Sequence, residues 1–423
     1  MTTILRAAAM RDAAGVNHRP GCVAVRDGRI VQIGPGRDPP RNVGSHQQML
    51  DLPQTLILPA LVNAHAHLDL TLIGPTPYDG DFVPWLRGLM QRRPRRDRDI
   101  TESVRQGLAA SRAAGVGALG DIAGSLTAIA ARRVAGGLPG HVPGVSYLEC
   151  FGIGRPQAQS ADDLARQLAM VPFESKVAEH ERGVVVGIQP HAPYSAGARL
   201  YEAATRLSQR HAYRLCTHLA ESAAETQFVR DAAGPLADLL RQLGKWDQTI
   251  RPTGKRPVEW FEPHLRHARW LLAHCNEVTD QEIQTLKRCG ASVAYCPIAG
   301  EYFGFPQTGV HRYREMLAAG VNVCLGTDSI LCQNPDEPQP LGILPQMRRL
   351  YRRDGTDPGL LLKMATVNGM LALEMNELDA TLRPGTPADL IGVRIDTDDR
   401  TDPLTQALQN DYPVEPIDLA ELA

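Results

Sequence analysis

Leu56-Ile57-Leu58-Pro59-Ala60-Leu61-Val62-Asn63-Ala64-His65-Ala66-His67 sets an apolar run directly before two histidines spaced i and i+2. An extended chain turns alternate side chains to one side, so His65 and His67 point together. Two neutral imidazoles pointing together make half of a metal site. The run itself reads as a buried strand. Similar short runs recur at 116–120, 145–148, 184–188, 213–216, 270–272, 291–295 and 321–325, each followed by a longer amphipathic stretch. Eight strands alternating with helices predict an α/β protein, a (β/α)8 TIM barrel over residues 57–370. In such barrels the chemistry sits at the C-terminal strand ends. Polar residues follow the strands at those places: His65, His67, Asp121, Glu149, His191, His218, His274 and Asp328.

Both ends of the chain look different. Cys22–Val25, the turn Asp27-Gly28 and Arg29–Gly34 read as a hairpin. Leu382–Val393 reads as a turn and then an apolar strand, and the stretch after Asp396 is polar and weakly patterned. Residues 1–56 and 371–423 are therefore expected to build one small β-sandwich domain.

Composition narrows the function classes. The chain has 423 residues, 43% hydrophobic and 22% charged, with net charge -2. No global basic field points to nucleic acid or a membrane surface as partner. No apolar run approaches the length of a membrane span, and the first residues lack a signal-peptide pattern, so a cytoplasmic location is expected. The eight cysteines form no CxxC pair and read as buried free thiols. A homodimer is one expected assembly, since dimers are common among enzymes. The charge block Arg92-Arg93-Pro94-Arg95-Arg96-Asp97-Arg98-Asp99 reads as a solvated loop or as a rim attracting an anionic part of a substrate.

The strand-end residues divide by chemistry. His65, His67, His218 and Asp328 give three nitrogens and an oxygen, suited to one divalent ion, zinc or iron(II), with a position left for water. No lysine occurs in 183–195, where binuclear barrel hydrolases commonly place a carboxylated lysine between two metals, and this argues for a single ion. Glu221 follows His218 by three residues and reads as a proton shuttle, or as a glutamate favoured at a helix start. His274 reads as a group that polarises attacking hydroxide. Asp328 combines ligation with orienting the water. His191, in His191-Ala192-Pro193-Tyr194-Ser195, is either turn chemistry or a substrate contact.

These motifs resemble the amidohydrolase superfamily, in the branch of cytosine, guanine and S-adenosylhomocysteine deaminases and triazine chlorohydrolases. The resemblance rests on Pro59–Leu68, His191–Ser195, Thr217–Ser222, Leu272–Cys275, Leu325–Ser329 and Ala365–Gly369, and spans nearly the whole chain. It implies a single metal ion at His65, His67, His218 and Asp328, acid–base work at Glu221 and water orientation at His274. Leu68-Asp69-Leu70-Thr71 followed by Phe82-Val83-Pro84-Trp85-Leu86 looks most like aminofutalosine (aminodeoxyfutalosine) deaminases. Trp85 and Phe82 would then stack on a purine face, or else anchor an amphipathic helix.

Two stretches depart from the pattern. Cys296-Pro297-Ile298-Ala299-Gly300 stands where related deaminases carry Cys-Pro-x-Ser-Asn, and Ser329-Ile330-Leu331-Cys332 is bulkier than usual. The expected function is hydrolytic deamination of a heterocyclic small molecule, an adenine-type nucleoside or related base, by metal-bound hydroxide with release of ammonia. The alternatives are hydrolysis of a cyclic amide, imine or ring halide, and a metal-containing binding protein without activity.

Overall fold

The computed structural model describes residues 1–37, 46–135, 142–171, 183–307, 309–398 and 400–417. Eight strands form one sheet in sequence order: Leu61–Ala66, Val116–Ala123, Gly144–Cys150, Val184–Pro190, Arg214–Leu219, Leu271–His274, Ser292–Tyr295 and Asn322–Leu325. The ladders from the second strand to the eighth are parallel. A parallel bridge between Ala66 and Asp328 joins the two ends. Thr327 N and Asp328 N both donate to His65 O at 3.0 Å. The expected (β/α)8 barrel is therefore present, and its seam is made by the backbone of candidate ligands.

The first apolar run does not form one strand. Leu56–Pro59 ends the long strand Gln47–Pro59, where Ile57 pairs with both Met10 and Gly392. The barrel strand begins only at Leu61. Proline has no N–H to continue a ladder, so Pro59 divides the run between two sheets. The run is apolar throughout because Leu56, Ile57, Leu58, Leu61 and Val62 are all buried.

The terminal segments form a seven-stranded sheet. Thr2–Arg11 lies parallel to Gln47–Pro59 and antiparallel to Gly21–Arg26. The hairpin from Gly21–Arg26 to Arg29–Pro35 turns at Asp27 (φ 51°) and Gly28 (φ 70°). Two positive φ values in a two-residue loop suit the right-handed strand twist. Leu390–Arg394 adds antiparallel to Gln47–Pro59, and Val414–Pro416 follows at the edge. Leu5, Met10, Val23, Ile57, Leu382 and Leu390 share one core there.

Two compact units divide the chain: residues 1–63, 109–118 and 339–423, and residues 64–108 and 119–338. Residues 339–370 thus group with the terminal segments, where the sequence division put them with the barrel. Arg348, on helix Ile343–Asp354, donates to Ala407 O (3.0 Å) and Tyr412 O (2.7 Å) and ties that helix to the C-terminal segment. Among the described residues every cysteine is free, and no helix is long and apolar enough to cross a membrane.

Candidate metal centre and active site

All the residues that bear on the chemistry belong to the second unit. His65 sits in the first barrel strand and His67 just past its end; His218 sits in the fifth strand, His274 ends the sixth, and Asp328 follows the eighth. All five are buried. The imidazole centroids of His65 lie 5.1 Å from His67, 5.0 Å from His218 and 5.4 Å from His274. Asp328 Oδ1 lies 3.4 Å from His67 Nε2 and 3.7 Å from His65 Nε2. The potential ligand atoms of His65, His67 and Asp328 lie within 4.8 Å of one another, as do those of His65, His218 and His274.

The donor set fits a divalent cation. Burial lowers His67 to about 4 and His274 to about 3, and holds His218 well below its ordinary value. These imidazoles are neutral at pH 7, so their lone pairs are available. Burial alone would raise Asp328, but a hydrogen bond with His65 and the neighbouring histidines outweigh it and hold the carboxyl below its usual range. His218 Nδ1 lies 2.9 Å from His191 O. A carbonyl only accepts, so a proton on Nδ1 serves this contact and leaves Nε2 its lone pair, while the Gln189 side-chain nitrogen lies 3.1 Å from the same Nδ1. His67 Nδ1 is buried and has no hydrogen-bond partner among the described residues.

Backbone strain gathers here. Ala220 (φ 53°), His274 (φ 74°), Cys275 (φ 49°) and Asp328 (φ 58°) are non-glycine residues in the left-handed region, at the ends of three barrel strands. Such conformations persist where surrounding structure fixes them, and they cluster at functional sites.

Glu221 is buried, with Oε1 3.7 Å from His274 Nε2. Burial, then the carboxylates of Asp328 and Glu225, push it well above the usual carboxylate range. Its place beside His274 suits a group that takes up and gives back a proton inside the cavity.

The cavity wall explains both departing stretches. Trp85 and Phe82, on helix Phe82–Arg92, line the cavity together with Phe303, Ser329 and Cys332. Trp85 Nε1 donates to Tyr302 Oη (2.8 Å), which donates to Thr76 O (2.5 Å). Phe303 meets Trp85 edge-on at 4.8 Å. The run after Pro297 forms helix Pro297–Phe303, which supplies one aromatic to the cavity and one brace to Trp85. Phe82 and Trp85 accordingly line the cavity and also pack into an apolar cluster with Leu70, Phe303 and Leu331. His191 lines the cavity too, with Nδ1 2.6 Å from Ser195 Oγ and its ring stacked on Phe151 at 4.9 Å.

Some residues take parts the sequence did not show. Arg93 turns inward and donates to Asp69 Oδ2 (3.1 Å) and Glu149 Oε2 (2.7 Å). Burial pushes Glu149 up, but Arg93, His191 and His67 bring it down to about 2. Arg96 and Arg98 pair with Asp99. The arginine block therefore spends Arg93 on buried carboxylates, while the exposed Arg96 and Arg98 share the one carboxylate of Asp99. Asp121 Oδ1 accepts from Leu68 N at 3.1 Å, so it braces the chain just after His67.

The amidohydrolase family profile matches residues 56–414. This chain is a member of the amidohydrolase family. It is 29% identical over 385 residues to a 5-methylthioadenosine/S-adenosylhomocysteine deaminase of Moorella thermoacetica, covering 88% of this chain and 80% of that one. The Helicobacter pylori aminofutalosine deaminase in complex with methylthio-coformycin superposes with a TM-score of 0.78 at 18% identity, over 98% of this chain and 97% of that one. The zinc-complexed atrazine chlorohydrolase of Arthrobacter aurescens TC1 superposes with a TM-score of 0.74 at 19% identity, over 99% and 98%. The two structural likenesses show a shared fold over 98% and 99% of this chain.

Proposed function

We propose that this amidohydrolase is a hydrolytic deaminase of an adenine-type nucleoside. The observation that carries the reading is the buried Glu221 carboxyl placed 3.7 Å from His274 beside the His/Asp cluster. The substrate class is supported by the curated relatives, whose names are deaminases of adenine nucleosides.

His65, His67, His218 and Asp328 would hold one divalent ion, zinc in this reading and iron(II) as the alternative. Such an ion supplies Lewis acidity that lowers the pKa of water to about 7. Glu221 takes a proton from the attacking water and delivers it to the ring nitrogen next to the amino-bearing carbon, then carries the remaining hydroxyl proton to the amino group, which leaves as ammonia. His274 donates a hydrogen bond that orients the attacking oxygen, and the carboxylate of Asp328 accepts one from the attacking water. Trp85, Phe82 and Phe303 cover the ring and exclude water, and His191 offers a polar contact in the same cavity lining.

Ammonia release from adenine nucleosides by the metal-loaded protein and by E221Q tests the reading. The wild type should release one ammonia per hypoxanthine-type product, while E221Q keeps its metal and loses turnover by at least a thousandfold. Near wild-type turnover by E221Q removes Glu221 from the chemistry. Chloride release from a ring halide, or opening of a cyclic amide, with no ammonia from any adenine compound, replaces this reading with the hydrolase alternative.

A further inference from the structure

Glu225 is fully buried, and no salt bridge reaches it among the described residues. Helix Ala223–Asp231 does not need it as a cap, because Ser222 Oγ already accepts from Glu225 N at 3.2 Å. In an ordinary capping box the third-position glutamate returns to the N-cap amide. Here the carboxylate reaches further back. Oε1 accepts from Ala220 N and Oε2 from Glu221 N, each at 2.9 Å.

The carbonyls of the same two residues are also taken. Glu277 N donates to Ala220 O at 2.9 Å, and Asn276 Nδ2 donates to Glu221 O at 2.9 Å. Asn276 is itself buried and follows the two left-handed residues His274 and Cys275. Every main-chain polar group of Ala220 and Glu221 thus has a fixed partner, and Ala220 is held at φ 53°. A buried carboxylate without a cation is costly, and a helix start gains nothing here that Ser222 does not supply.

We propose that Glu225 and Asn276 are positioning residues that clamp the Glu221 main chain from both sides and so aim its carboxyl at the metal cluster. The proposal rests on the reading of Glu221 as the proton-transfer group. The clamp joins the ends of the fifth and sixth barrel strands, so it also fixes Glu221 relative to His274.

The test uses the full-length metal-loaded protein and the variants E225Q, N276D, E221Q and E221Q/E225Q. The E225Q change keeps the size of the side chain but presents an N–H where an acceptor is needed, and N276D removes the donor. Amide hydrogen exchange should speed up at least tenfold at Ala220 and Glu221 in E225Q, with the rest of the barrel still protected. On the adenine compound the wild type turns over, kcat should fall ten- to a hundredfold in E225Q and N276D, with KM and metal content unchanged. E221Q/E225Q should be no slower than E221Q, because a residue acting through Glu221 has nothing left to position.

Wild-type exchange at Ala220 and Glu221 in E225Q overturns the proposal. So does wild-type kcat in E225Q alongside an inactive E221Q, or a double variant slowed by the full factor of both changes. An E221Q enzyme of near wild-type rate fails the underlying reading instead, and takes the proposal with it.

Discussion

Gly326 lies at the seam of the barrel, between the eighth strand and Asp328. A Cβ placed there would stand 2.9 Å from Cys296 Sγ, 2.9 Å from His65 Cβ and 3.0 Å from His65 O. The last contact is with backbone, and that carbonyl accepts from both Thr327 N and Asp328 N at 3.0 Å. G326A therefore cannot be absorbed by turning one flexible side chain. The strands must part by about 0.5 Å to reach ordinary contact, roughly the tolerance of a preorganised site. Overpacking of this kind costs about 1–3 kcal/mol. At about 1.4 kcal/mol per tenfold, that is a loss of about 5- to 150-fold if it falls on metal affinity. If it falls on the fold instead, the melting temperature drops by roughly 1 °C per kcal/mol for a chain of 423 residues. Chelator competition gives the metal affinity, and thermal unfolding of the chelated protein gives the second quantity. Wild-type affinity together with a wild-type melting temperature in G326A would refute the view that the seam and the metal cluster are one strained unit.

Four further outcomes are expected. Elemental analysis should find one divalent ion per chain, and H67A should retain less than a tenth of it; an unchanged content in H67A removes His67 from the ligand set. Chelation should lower the unfolding free energy, by about 4 kcal/mol relative to protein held at a thousandfold excess over Kd, as a denaturant titration would show. Burial raises Glu225 from 4.5 to about 7, so its contribution to stability is full below pH 4.5 and is lost as pH rises through about 7. At about 1.4 kcal/mol per pH unit the loss is about 3 kcal/mol, and E225Q should flatten the fall in denaturation midpoint between pH 5 and 8; equal slopes in the two proteins contradict this. W85A should raise KM about tenfold with metal content unchanged, as steady-state kinetics would show, since the indole forms part of the cavity wall.

The barrel was legible because each of its strands is a short apolar run followed by an amphipathic stretch. The boundary of the first strand was not, because Leu56–Pro59 and Leu61–Ala66 are both apolar and only Pro59 separates their sheets. The strand Gln47–Pro59 was hidden as well. Its first part, Gln47-Gln48-Met49-Leu50-Asp51-Leu52, is half-exposed or exposed and carries no continuous apolar signal.

At the site, the i, i+2 spacing of His65 and His67 was enough to start the cluster, and strand-end placement supplied the other members. The Arg93 bridge could not be read, since its partners Asp69 and Glu149 lie 24 and 56 residues away. Nor could the pairing of Tyr302 with Trp85, 217 residues apart. The Glu225 clamp had a local signal, Ser222-Ala223-Ala224-Glu225, which fits a capping box. Its real use, on the two amides before the cap, depends on the left-handed turn at Ala220.

The most direct measurement is the fate of water oxygen during turnover. Metal-loaded protein and an adenine nucleoside in oxygen-18 water should give a product carrying one heavy oxygen at the former amino carbon, with one ammonia released for each. Unlabelled product, or conversion of the nucleoside without ammonia, would contradict hydrolytic deamination.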